Sequence, residues 1–101
     1  MSFNVNDLSK DLRAFWNSNG QNTSKINANY AKRLRLALTH LYYARTQGDI
    51  AFPAPKDWRF HKLQGHENRY SIDVTGNARL HFDIVGADNG VVADITFFDP
   101  H

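Results

Sequence analysis

The sequence predicts an α+β fold: two N-terminal helices packed on one face of a twisted antiparallel sheet of four strands, with room for a short additional N-terminal strand at Ser2–Val5. Three observations predict it. Four stretches after Trp58 alternate apolar with polar residues, the period of a strand buried on one face. They are Trp58-Arg59-Phe60-His61-Lys62-Leu63, Arg69-Tyr70-Ser71-Ile72-Asp73-Val74, Arg79-Leu80-His81-Phe82-Asp83-Ile84 and Val91-Val92-Ala93-Asp94-Ile95-Thr96-Phe97-Phe98. The segments between them, Gln64–Asn68, Thr75–Ala78 and Gly86–Gly90, are short and carry Gly or Asn, so neighbouring strands run antiparallel as a meander. Upstream, apolar residues recur at the helical spacing of three and four.

Ser2-Phe3-Asn4-Val5 alternates as a short edge strand would. From Asn6 or Asp7, either able to cap, Leu8, Leu12, Phe15 and Trp16 follow helical spacing until Asn17-Ser18-Asn19-Gly20 stops it. Thr23 or Ser24 offers a second cap, and Ile26, Tyr30, Leu34, Ala37, Leu38 and Leu41 form one stripe, predicting a long helix from about Ser24 to Thr46 with Gly48 beyond its end. Lys32, Arg33, Arg35 and Arg45 lie off that stripe, as does His40, which reads as a helix-surface residue. The prolines Pro53 and Pro55 exclude helix and disfavour a central strand, so Asp49–Asp57 is a connection whose Ile50 and Phe52 tuck against the core edge.

Alternation sorts the sheet. Trp58, Phe60, Tyr70, Ile72, Val74, Leu80, Phe82, Ile84, Ala93, Ile95 and Phe97 fall on the side the helices must cover. Arg59, His61, Arg69, Ser71, Asp73, Arg79, His81, Asp83, Asp94 and Thr96 fall on the other.

A chain of 101 residues with 42% hydrophobic content supports one core, so residues 1–101 are expected to form a single domain. Cysteine is absent, which removes disulfides, thiolate metal sites and a thiol nucleophile. No apolar run approaches the roughly 18 residues of a membrane span, and the N-terminus lacks the order of a signal peptide. A cytoplasmic protein without a membrane partner is the expectation. Twelve Lys and Arg against ten Asp and Glu give +2, a small excess. Its concentration at Lys32, Arg33 and Arg35 favours a polyanionic partner more than the total does.

His61, His66, His81 and His101 include no pair at the helical spacing of a metallohydrolase motif, so no metal is expected. There is no strand-to-helix phosphate loop and no Gly-x-Ser-x-Gly element, and no cofactor is implied. Acid–base chemistry on a phosphodiester remains. Cleaving RNA through its own 2′-hydroxyl requires a proton acceptor, a donor for the leaving oxygen and positive charge at the phosphate. His61, Arg79 and the chain end Asp99-Pro100-His101 carry these functions in residue type. The competing readings are plain ones: an exposed strand histidine needs no role, and terminal residues fray.

Four blocks in order, Trp58–Gly65, Tyr70–Val74, Gly76–Phe82 and Phe98–His101, together with the helix Ala31–Leu38, resemble the HigB branch of the RelE/ParE toxin superfamily over about residues 28–101. That branch shows a W-R-L-H-P-L-K-G block, a W-S-V-x-V strand, a G-N-W-R-I-T-F strand and a terminal D-Y-H. The resemblance implies a RelE-like fold and a ribosome-dependent endoribonuclease, an mRNA interferase that cuts mRNA in the A site and so inhibits translation. It also implies neutralisation by a cognate helix-turn-helix antitoxin, through which alone the toxin would meet operator DNA. By position, His61 takes the place of the active-site histidine, Arg79 of the phosphate-stabilising arginine, and Asp99 and His101 of the C-terminal acid and histidine. Arg59, Lys62, Arg69 and His81 are the expected RNA contacts, although alternation puts Lys62 on the apolar side. Three departures stand out: Gln64 for a lysine, Pro100 for a tyrosine and Ala78 for a tryptophan. Loss of the lysine and the tyrosine is expected to lower activity or alter codon preference. The alternative is a non-enzymatic toxin or co-repressor on the same scaffold, either a ParE-like gyrase poison or an inactive antitoxin-binding homologue.

Overall fold

A computed structural model describes residues 3–24, 26–44, 58–75, 78–85 and 91–98. Among these residues are two α-helices, α1 (Lys10–Asn17) and α2 (Ala31–Tyr43), and four strands, β1 (His61–Lys62), β2 (Arg69–Asp73), β3 (Arg79–Val85) and β4 (Val91–Phe98). The strands are antiparallel in the order β1-β2-β3-β4, the meander that the short connections require. The predicted α+β architecture is therefore the one observed. The connection through Pro53 and Pro55, with Ile50 and Phe52, lies outside the described residues, as do the C-terminal residues Asp99 and His101.

One apolar cluster fills the space between helices and sheet. Leu12 and Phe15 from α1 and Leu34, Ala37, Leu38 and Leu41 from α2 are buried together with Ile72, Leu80, Phe82, Ile84, Val92 and Ile95 from the strands. Full burial of each of the larger side chains is worth roughly 1.5–3 kcal/mol, and this is what holds the two layers together. Lys32, Arg33 and Arg35 stay exposed on the far side of α2.

Among the described residues of the expected N-terminal strand, Phe3–Val5, none is in a strand. Asn4 instead caps a 3-10 turn, Val5–Asp7, its Oδ1 accepting from the Asn6 amide at 2.9 Å while Asp7 Oδ2 accepts from the Asn4 amide at 3.0 Å. The apolar half of the alternation still has its use: Phe3 is buried, with ring centroids 5.4 Å from Trp16 and 5.3 Å from Tyr42. The pairing with the sheet is a single parallel bridge, Leu8 to Ile95. It covers one step of the open edge of β4.

The second helix starts later than its apolar stripe suggests. Asn22 Oδ1 accepts from both the amide (3.1 Å) and the hydroxyl (2.8 Å) of Ser24, and Asn27 caps a 3-10 turn at Ala28–Tyr30. Such side chain to backbone bonds compete with helix, so Ile26 is buried from a turn and not from a helical face. Gly20 closes α1 at φ +83° and lies under Arg35, where a Cβ would approach the arginine Cδ to 2.9 Å.

β1 is shorter than the alternation from Trp58 to Leu63 predicts. Arg59 adopts φ +46°, which breaks the extended run before His61. β4 holds the other departure. Asp94 sits at φ +50°, and Ala93 pairs with Asp83 while Thr96 pairs with His81, so three steps of β4 oppose two of β3. This bulge reverses the alternation. Val92, Ile95 and Phe97 reach the core side, whereas Ala93, expected there, turns to the polar face together with Phe98.

Candidate functional site

The polar face is organised in rungs set by strand register. The central rung runs His61, Ser71, His81, Thr96 across all four strands. Adjacent strands lie about 4.8 Å apart, so the two histidines straddle Ser71 with Cα atoms about 10 Å apart. One rung away, Asp73 faces Arg79, which faces Phe98, and on the opposite side Arg69 faces Asp83.

His61 is exposed, and its Nδ1 lies 2.6 Å from the carbonyl oxygen of Arg59. A carbonyl only accepts, so Nδ1 carries the proton and donates. The neutral ring therefore has its basic lone pair on Nε2. The unusual backbone of Arg59 brings that carbonyl to the ring two residues ahead.

Arg59 and Arg79 meet on one carboxylate. Arg59 Nε is 2.6 Å from Asp73 Oδ2 and Arg79 Nε is 3.1 Å from Asp73 Oδ1, and the Asp73 side chain is 5% exposed. Arg69 is occupied differently. Its Nη1 donates to Asp83 Oδ1 (3.1 Å), Asp94 Oδ2 (3.2 Å) and the Asp94 carbonyl (2.9 Å), and its Nη2 to Thr96 Oγ1 (3.0 Å). With only 16% of its side chain exposed, it fastens the bulge of β4 to β2 across β3.

His81 is held below the ordinary histidine value, first by burial and then by the charges of Arg69, Arg79, His61 and His66. Its ring packs on Phe98 with centroids 4.4 Å apart. Phe98 is 51% exposed, an aromatic surface on an otherwise polar face. Ser71 Oγ, beneath the two histidines, is buried without a hydrogen-bond partner among the described residues.

The structure thus brings together Arg59, His61, Arg79 and His81. Lys62 pairs with Tyr70 and faces the opposite side from His61, as its place in the alternation requires. Two residues of the face escaped attention at the level of sequence. Asp73 could have been singled out, because the short Thr75–Ala78 connection sets it directly across from Arg79. Phe98 could have been too, because alternation from Thr96 outward and Phe97 inward turns it to the polar side, next to Arg79. Among the described residues no three His, Asp or Glu side chains gather as a metal site requires.

Away from this face, a groove of about 550 Å³ runs along α2, lined by Gly20, Ala31, Lys32, Arg35, Leu36 and Thr39. Among the described residues no helix is long and apolar enough to cross a membrane.

Helices over one side of a four-stranded meander, with an arginine- and histidine-bearing polar opposite side, agree with the small RelE-like toxins. Residues 6–101 match the family model described as the RelE-like toxin of type II toxin-antitoxin system HigB, and the chain belongs to that family. No individually curated protein matches it. Membership implies an antitoxin as partner.

Proposed function

We propose that the protein is a ribosome-dependent endoribonuclease that cleaves mRNA in the A site and inhibits translation in the cytoplasm. The observation that carries this reading is His61, its Nδ1–H fixed on the Arg59 carbonyl, on the same face as Arg79. In the reaction, His61 Nε2 accepts the proton of the RNA 2′-hydroxyl, the 2′ oxygen attacks the adjacent phosphorus, and the bond to the 5′ oxygen breaks. Arg79 balances the charge that builds on the phosphoryl oxygens. The proton for the leaving oxygen comes from the chain end, where Asp99 and His101 are the donors by family position. Arg59 and His81 line the path of the RNA. Arg69, with its guanidinium spent on the bulge, serves that path indirectly.

The cognate helix-turn-helix antitoxin is proposed to place an acidic, amphipathic segment in the groove of α2, against Lys32, Arg35 and exposed Leu36. Operator DNA would be reached through that antitoxin.

The test is in vitro translation with purified ribosomes and mapping of mRNA 5′ ends. Wild-type protein should cut within A-site codons, and His61→Ala, Arg79→Ala or deletion of His101 should each reduce cleavage about 10²–10⁴-fold, the usual range for lost acid–base or phosphate-stabilising groups. Growth inhibition without new 5′ ends would reject the nuclease and favour a ParE-like or antitoxin-binding role.

A further inference from the structure

We propose that Asp73 assembles Arg59 and Arg79 into one phosphodiester-binding fork, and that Asp73 is the positioning residue of that fork. This rests on the reading of the polar face as RNA-binding. Asp73 is a nearly buried carboxylate, and a buried charge persists only when paired. It has two partners, one on each oxygen. An arginine facing a carboxylate commonly commits two nitrogens to it. Here each arginine gives Asp73 only its Nε, and among the described residues the terminal nitrogens of both have no other hydrogen-bond partner.

Those ends are accessible. The Arg59 and Arg79 side chains are 63% and 42% exposed. Two planar donors, tethered side by side at their inner edges, present their outer edges together. Two guanidiniums and one carboxylate leave a net single positive charge, which matches the single negative charge of an RNA phosphodiester. Without the carboxylate the two cations would repel and separate.

Arg59 also links the fork to the base. Its left-handed backbone is unfavourable for a residue with a side chain, and two contacts hold it: the side-chain bond to Asp73 and the carbonyl bond from His61. Releasing Asp73 therefore frees both the second prong and the group that sets the His61 tautomer.

Charge counting and positioning make opposite forecasts. Asp73→Asn adds one unit of positive charge to a face that binds a polyanion, so electrostatics alone predicts tighter binding. The fork predicts weaker binding. The probe is a short 2′-O-methyl oligoribonucleotide, which cannot be cleaved, titrated at low salt against the full chain and followed by fluorescence anisotropy. For Asp73→Asn the expected result is about tenfold weaker binding, at unchanged circular dichroism, with the His61 ring nitrogen shifts moving away from the Nδ1–H tautomer. Equal or tighter binding by a folded Asp73→Asn protein overturns the proposal.

Arg59→Lys provides a second arm should Asp73→Asn not fold. Lysine keeps the charge and can pair with Asp73, but then has no outer edge to offer. A comparable loss of binding is expected, and wild-type affinity overturns the fork. The outcomes separate this proposal from the enzymatic one. Weakened oligonucleotide binding in both variants, with no ribosomal cleavage by wild type, supports the fork and rejects the nuclease. Normal cleavage by wild type with unchanged binding in both variants does the reverse.

Discussion

Replacing Arg69 by methionine removes the guanidinium while keeping much of the apolar stem, and its cost can be worked from the contacts. Four donations end, to Asp83, twice to Asp94 and to Thr96. A hydrogen bond to a charged group contributes about 1.5–3 kcal/mol when its partner is stranded in the interior. Here Asp94 is exposed and Asp83 partly so, and water replaces much of what they lose. The sum therefore falls to about 2 kcal/mol, including the repulsion left between two carboxylates and the release of a strained residue at Asp94. For a domain near this size that is a fall in Tm of about 8–16 °C. A thermal melt followed by circular dichroism measures it, with exposed Lys62→Met as the control expected to stay within about 4 °C. If Arg69→Met melts with wild type while losing RNA binding, the guanidinium faces RNA and does not fasten the bulge.

Three further outcomes are expected. Leu38→Ala, at a fully buried position between helix and sheet, should cost about 2–5 kcal/mol, read as a shift in the urea midpoint at constant slope. Because the folded protein holds His81 below its ordinary value, the unfolded chain binds the extra proton first as pH falls. Stability should thus decline from about pH 6.5 downward, and less steeply in His81→Gln, so parallel pH–Tm curves for the two proteins would contradict the burial and charge around that ring. Association with the antitoxin should slow as salt rises, and Lys32→Glu with Arg35→Glu should slow it further at low salt; stopped-flow rates indifferent to both would move the antitoxin off α2.

Much of this protein was decided by periodicity. The alternation of apolar and polar residues placed Ile72, Leu80, Phe82 and Ile84 inward and Arg59, His61, Arg79 and His81 outward, because the strand repeat is two whatever the neighbours do. Short connections made the sheet a meander, and the stripe through Leu34, Leu38 and Leu41 chose the buried side of α2. Local competition was harder to read: the Asn4, Asn22 and Asn27 side chains satisfy backbone groups that a strand or helix would have used. What the tertiary structure alone decided are the left-handed residues Arg59 and Asp94 and the partners of the charged side chains. A period says which side a residue faces. It does not say that Arg69 reaches over β3 to Asp94, or that Arg59 and Arg79 share Asp73, because long side chains settle on whatever opposite charge the assembled strands bring within reach, and those charges are 25, 14 and 6 residues away along the chain.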